Sequence, residues 1–338
     1  MKRAFCMYRS AFAFLPFVLA ACGGSTTTEP PPPDLSIREG SIPLEAPVQD
    51  VAYDAKRNLL YLAEPSFSQI GALSLASLQY GSPIATGPNR PTGLDLSAGQ
   101  DSLIVSLPEA KAIGIINLTA STRVFDTVRL SLDNFLNRRP DILRVMAGGR
   151  VIIAVTFDGS GFGGQVIEYN LATRTQRVRT DVGINQSVTE LTRLSRSMDR
   201  QRMLLLIDDS CCPLSGFVYN ATTDQWSSRF DTVNRFFPSV ATNLDGSRFL
   251  IGATLFSGTL TFLQTYSPSG YNDGPTALAS DGTTAFFATP EGVLQVRLAD
   301  GGTVRTMSTS GAPTLLYVLP NGKAVVVLTA TTVHVFRL

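Results

Sequence analysis

From residue 35 onward one short pattern recurs seven times, a polar turn followed by an apolar run. The copies read AKRNLLYLAE, AGQDSLIVSL, AGGRVIIAVT, MDRQRMLLLI, LDGSRFLIGA, SDGTTAFFAT and PNGKAVVVLT. Each run is strand-length and rich in β-branched or aliphatic residues, and no long 3.6-residue period separates the copies. Asp245-Gly246, Asp281-Gly282 and Asn321-Gly322 carry the residues that tight hairpin turns need at positive φ. A unit this small cannot cover its own apolar sides, so it must stack against copies of itself.

A second run follows each first run: IGALSL, IGIINL, VIEYNL, GFVYNA, LTFLQT, VLQVRL and VHVFRL. A third, more polar run follows some of these, as in STRVFDTV, TQRVRTDV, QWSSRFDT and TVRTMSTS. The fifth unit shows no clear third run. A proline then opens most units, at Pro47, Pro91, Pro140, Pro238, Pro275 and Pro313, with Val188-Thr189 in its place in the fourth. Proline is tolerated at the first residue of a strand, where no ladder donor is lost. The unit reads as four strands, A to D, with A innermost. Its length, roughly 37 to 51 residues, suits a propeller blade. The fold expected is therefore all-β, a seven-bladed β-propeller over residues 35–338. Its last unit lacks a strand D, and LSIREGSIPL (35–44) precedes the first strand A. The N-terminal strand is expected to complete the last blade and so hide the faces that terminal repeats would expose.

The clearest copy, PTGLDLSAGQDSLIVSL followed by IGIINLTAST, resembles the repeat of the YVTN (YncE-like) family of bacterial seven-bladed β-propellers. That resemblance implies a closed ring whose D–A and B–C loops share one face, usually the ligand face. The YVTN tetrapeptide itself is absent.

The start of the chain says where such a ring would reside. MKRAFCMYRS is basic, AFAFLPFVLAA is apolar but too short to span a bilayer, and Leu19-Ala20-Ala21-Cys22 follows. This resembles the lipobox of bacterial lipoproteins. The resemblance implies a cleaved signal peptide over 1–21 and lipid attachment, the palmitate type included, at Cys22. The mature chain would be anchored in the cell envelope, with the outer membrane favoured by Gly23, facing the periplasm or the cell surface. Acyl chains contribute about 0.8 kcal/mol per buried CH₂. Residues 22–34 are Cys22 followed by GGSTTTEPPPPD (23–34), a tether with a polyproline segment that can reach on the order of 35 Å. The chain holds 28 Lys+Arg against 27 Asp+Glu. Taking Lys2, Arg3 and Arg9 from the 28 leaves 25 bases. Such a chain lacks the basic surplus that phosphate-backbone binding requires, so nucleic acid is not an expected partner.

Candidate site residues lie in the loops of the expected ligand face. Arg90, Arg139 and Arg235 each stand shortly before the A-strand proline, where guanidiniums could converge on an anion. Acids occupy B–C loops at Glu64, Glu109, Asp158, Asp208, Asp209 and Glu291, and Tyr271 lies in a D–A loop. The competing reading is that these charges only pair around a solvated rim. In DDSCCPLSG, Cys211 and Cys212 can form a vicinal disulfide or pair with another molecule. GSGFGG (159–164) matches G-x-G-x-x-G, but the strand-like QVIEYN follows it where a dinucleotide site needs a helix. His334, the sole histidine, shares a strand face with Phe336 and is expected to be structural. No metal site or cofactor is implied. The residues favour a monomeric binding or scaffold module for a protein or small ligand over a propeller enzyme of the lactonase or quinoprotein type. A role in outer-membrane assembly is a third reading.

Overall fold

The computed structural model describes residues 34–120, 123, 125–132, 137–157, 163–181, 188–207, 214–232 and 239–338. They form seven antiparallel sheets arranged as the blades of a propeller. The innermost strands, A, are Val51–Asp54, Leu94–Leu96, Arg138–Val145, Arg193–Arg196, Val240–Thr242, Thr276–Leu278 and Pro313–Val318. Each is followed by B, C and D strands in the order of the chain. The exception is the last blade, whose outer strand is Gly40–Pro43. It pairs antiparallel with strand C, Thr332–Arg337, in the register Gly40 to Val335 and Ile42 to Val333. The N-terminal strand thus closes the ring, as the repeat pattern requires.

Strand alternation explains why the blades stack. In strand B of blade 1, Leu59–Glu64, Leu60 and Leu62 face blade 7 while Tyr61 and Ala63 face blade 2. Seven apolar clusters result, one at each junction between neighbouring blades. The cluster joining the first and last blades holds Leu60, Leu62, Val326, Leu328, Val333 and Val335, with Ile37, Ile42 and Leu44 packed against it. Each such aliphatic side chain contributes about 1.5–3 kcal/mol when fully buried. A single blade would leave both of its apolar faces in water.

The A–B turns show one backbone rule. The fourth residue after strand A has positive φ in every blade: Asn58, Gln100, Gly149, Arg200, Gly246, Gly282 and Gly322. Glycine supplies this conformation without a Cβ clash. The expected Asp-Gly and Asn-Gly turns are among them.

Two expectations are corrected. The sequence pattern puts LTFLQT as the run after the fifth apolar run, hence strand C of blade 5, with no clear outer strand. Instead Gly252, at φ 56, begins a two-residue reversal that pairs Ile251 with Thr254. Thr254–Ser257 is therefore strand C, and Phe262–Thr265 is the outer strand D. The second correction concerns Arg139, expected in the loop just before the A-strand Pro140. Arg138–Val145 is one strand in which Arg139 lies opposite Thr156, with a register break between Pro140 and Leu143.

Arginines at or beside the start of strand B tie neighbouring blades through backbone carbonyls. Arg57 donates to Gln100 O and Leu118 O, Arg150 to Ala221 O and Arg248 to Gly282 O. The junction of blades 3 and 4 carries a further ionic staple. Arg179 donates to Glu168, Asp181 and Asp224 and lies 5.1 Å from the Tyr219 ring centroid. Burial pushes the Asp224 carboxyl up, but hydrogen bonds from Arg177, Tyr219 and Arg179 outweigh it and hold it at about 2. An unfolded aspartate titrates near 3.9. The folded value is depressed, so this stability is present above pH 4 and lost as pH falls through about 2. The urea midpoint is expected to stay level from pH 7 to 5 and to drop between pH 4 and 2. A level midpoint down to pH 2 would remove the staple from the account of stability.

The N-terminal approach is fixed to the turn face. Asn58 Nδ2 donates to Asp34 O and Ser36 O, and Arg38 N to Leu75 O. Asn58 and Leu75 belong to an A–B turn and a C–D turn, so Asp34 lies on the face opposite the D–A and B–C loops. Among the described residues no helix is long and apolar enough to cross a membrane.

Candidate functional site

The seven A strands surround a hub cavity of about 680 Å³, with lining residues from every blade. Its charged side chains come from alternation along strand A. Leu94 and Leu96 turn into the core between blades 1 and 2, which aims Asp95 at the hub. Close approach of the inner strands is part of the design. A Cβ at Gly93 would stand 2.7 Å from Asp141 O and 2.9 Å from Leu143 N of the next blade, which explains the glycine of Pro91-Thr92-Gly93.

Two aspartates brace the hub. Asp50 Oδ2 accepts the Leu94 N–H at 2.9 Å, and Asp95 Oδ2 accepts the Val145 N–H at 2.8 Å. Each carboxylate thereby ties its own A strand to that of the next blade. Each also receives a guanidinium from two blades on. Arg144 Nη1 and Nη2 lie 2.7 and 3.2 Å from the Asp50 oxygens, and Arg196 Nε and Nη2 lie 2.6 and 2.7 Å from those of Asp95. Such two-point pairs are strong and directional. Arg200 stands 3.7 Å from Asp95 and donates to Val145 O at 2.7 Å.

The electrostatics follow from burial set against these neighbours. Burial alone would raise the Asp95 carboxyl, but Arg196 and Arg200 outweigh it and hold it well below the usual range. Burial pulls Arg200 down to about 10, opposed by Asp95 and reinforced by repulsion from Arg196. Burial raises the hydroxyl of Tyr317, on strand A of blade 7, which feels Arg196, Asp95, Arg144 and Arg200 together. That hydroxyl has no hydrogen-bond partner among the described residues. Higher in the cavity, burial pushes Asp141 above the ordinary carboxyl value, against the pull of Thr92, Arg193 and Arg139. Glu190 and Asp273 line the same cavity and are exposed.

No family model matches the chain, and no curated protein matches it. Among solved structures, Kuenenia stuttgartiensis hydrazine synthase aligns with it at a TM-score of 0.66 and 12% identity. The alignment covers 88% of this chain and 97% of that one. The fold is a seven-bladed β-propeller. At this identity the likeness shows the fold alone.

The residues singled out from the sequence are placed as follows. Arg90 is exposed, and its backbone N–H donates to Glu109 Oε2 at 3.0 Å. Arg139 is half-buried in strand A of blade 3. The Tyr271 hydroxyl donates to Gly274 O at 3.1 Å, its ring packs edge-on against Phe287, and burial raises its titration. None of these three lines the hub cavity. Glu64 is buried, accepts from Gln69 Nε2 at 2.7 Å, and is raised by burial. Glu291 is exposed. Cys22, Asp158, Asp208, Asp209, Cys211, Cys212 and Arg235 lie outside the described residues, as do 159–162 of the glycine-rich stretch. Gln165–Asn170, which follows that stretch, is a strand. His334 is buried between Ser41 and Ser310, which approach its ring nitrogens at 2.7 and 3.1 Å. It stacks on Phe336, and burial lowers its titration.

The sequence reading missed the hub residues. A positional signal was available: the fourth residue after the opening proline is Asp95, Arg144, Thr242 and Tyr317 in blades 2, 3, 5 and 7. All four line the cavity. An arginine beside the apolar run of four copies likewise marks the inter-blade ties.

Proposed function

We propose that this chain is a lipid-anchored, cell-envelope propeller that acts as a binding or scaffold module, with the hub as its binding site. The observation that carries this reading is the cavity of about 680 Å³ formed by all seven inner strands. Its volume falls within the range of small-molecule sites. A ring closed by its own N-terminal strand holds the lining groups in place, which reduces the ordering cost of binding. The anchor reading rests on Leu19-Ala20-Ala21-Cys22 and the tether after it.

The anchor is tested by metabolic labelling with a palmitate analogue. The wild type is expected to be labelled and membrane-bound. Cys22→Ala should lose the label and leave the membrane fraction. An unlabelled wild type in the soluble fraction would end this half of the reading. The hub is tested by native mass spectrometry of protein purified gently from its own envelope. A bound small molecule is expected on the wild type and not on Thr314→Trp, which places an indole at the cavity wall. Identical spectra would count against the hub.

A further inference from the structure

The hub has an uneven charge distribution along its axis. At the floor, Arg144 and Arg196 line the cavity, and Arg200, which does not line it, stands near Asp95; these three guanidiniums are set against only Asp50 and Asp95. Asp95 is shared, since Arg196 takes both of its oxygens and Arg200 is left at 3.7 Å. The Tyr317 hydroxyl, with no hydrogen bond to a described residue, adds a donor that lies close enough to these guanidiniums to feel their charge. Arg200 occupies a positive-φ turn position that three other blades fill with Asp-Gly or Asn-Gly. A side chain held there at a backbone cost is a reason to look for a function. At the rim the balance reverses: Asp141, Glu190 and Asp273 line the cavity with Arg193 as the cation. Asp141 and Arg144 are three residues apart across the register break of one strand, so rim and floor are separated by at most about 10 Å along it.

We propose that the hub binds a small elongated zwitterion end-on, its carboxylate at the Arg144, Arg196 and Tyr317 floor and its ammonium at the Asp141 rim. The floor offers a carboxylate what guanidinium and phenol donors recognise, charge and directed N–H and O–H groups. The burial that raises Asp141 is offset when a cation sits beside it. A purely anionic ligand would meet three rim carboxylates on entry. A purely cationic one would meet a floor where three guanidiniums are set against two carboxylates. Amino acids with a distal amine, and the ends of short peptides, have this chemistry. The inference rests on the hub being the binding site, which the Thr314→Trp comparison tests separately.

The test uses three probes of similar length, 6-aminohexanoate, hexanoate and hexylamine, titrated calorimetrically into the full chain. 6-Aminohexanoate is expected to bind at least about tenfold more tightly than either singly charged probe. Tyr317→Phe should weaken it about three- to tenfold, the worth of one hydrogen bond, while the melting temperature of the free protein stays unchanged. Asp141→Asn should narrow the gap between 6-aminohexanoate and hexanoate. Three results would each overturn the proposal: no binding of 6-aminohexanoate, equal binding of hexylamine, or a Tyr317→Phe variant with wild-type affinity. If envelope-purified protein carries a hub ligand yet 6-aminohexanoate fails, the hub stands and only the zwitterion falls.

Discussion

Asp95→Ala should destabilise the ring by about 3–5 kcal/mol, the range for removing one partner of a buried ion pair. The side chain is 5% exposed and holds four groups at once: Arg196 through two contacts, the N–H groups of Leu96 and Val145, and Arg200 at 3.7 Å. Truncation removes the carboxylate paired with Arg196 and near Arg200 and orphans a buried N–H of the next blade. Few other single changes in this chain disturb two blades besides their own. Asp95→Asn separates the causes, because the amide oxygen still accepts from Val145 while the charge is gone. It should cost less than alanine but remain clearly destabilising. Urea unfolding at pH 7, compared through the midpoint at constant m, is the measurement. A loss under about 1 kcal/mol for alanine would mean that the hub ion pairs only break even with their desolvation.

Removing residues 35–44 from the full chain should cost about 5 kcal/mol or more and drive the protein to self-associate through a bared strand edge. The loss has two parts. Ile37, Ile42 and Leu44 leave the cluster shared by blades 1 and 7, each worth up to about 1.5–3 kcal/mol. The ladder from Gly40 to Pro43 disappears as well, which bares the edge of Thr332–Arg337. A bare edge beside buried Val333 and Val335 is a template for another chain. Size-exclusion chromatography should show dimers or larger species, and the melting temperature should fall. Adding the peptide LSIREGSIPL in trans should restore both, since the slot it fills is otherwise complete. An unchanged, monomeric deletion variant would show that the ring closes without its N-terminal strand.

Local pattern carried most of the architecture. The period of the repeat set the blade number, and the alternation of runs such as LLYLAE set which residues turn inward. In blade 5, local pattern failed at one residue. Gly252 permits an immediate reversal, so the LTFLQT run of blade 5 became an outer strand instead of a third one. The candidate site was less legible. Arg90 and Tyr271 drew notice as charged or aromatic loop residues, yet the hub is lined by polar residues embedded in short apolar strands. In a single unit, Asp95 in GLDLS reads as an ordinary strand residue. Only comparison of the same offset in several units reveals the inward-facing set.

Taken alone, the sequence determines that seven small sheets must stack and that the first strand must serve the last blade. Both follow from short-range facts, strand alternation and apolar faces too wide for one unit to cover. It could not determine which charges meet. Asp50 and Arg144 are 94 residues apart, and Asp95 and Arg196 are 101 apart. Their pairing depends on closing a ring that brings alternate blades within reach across its hub. Ion pairing of this kind has no period and no local signature, because it is set by geometry that exists only after all seven blades have docked.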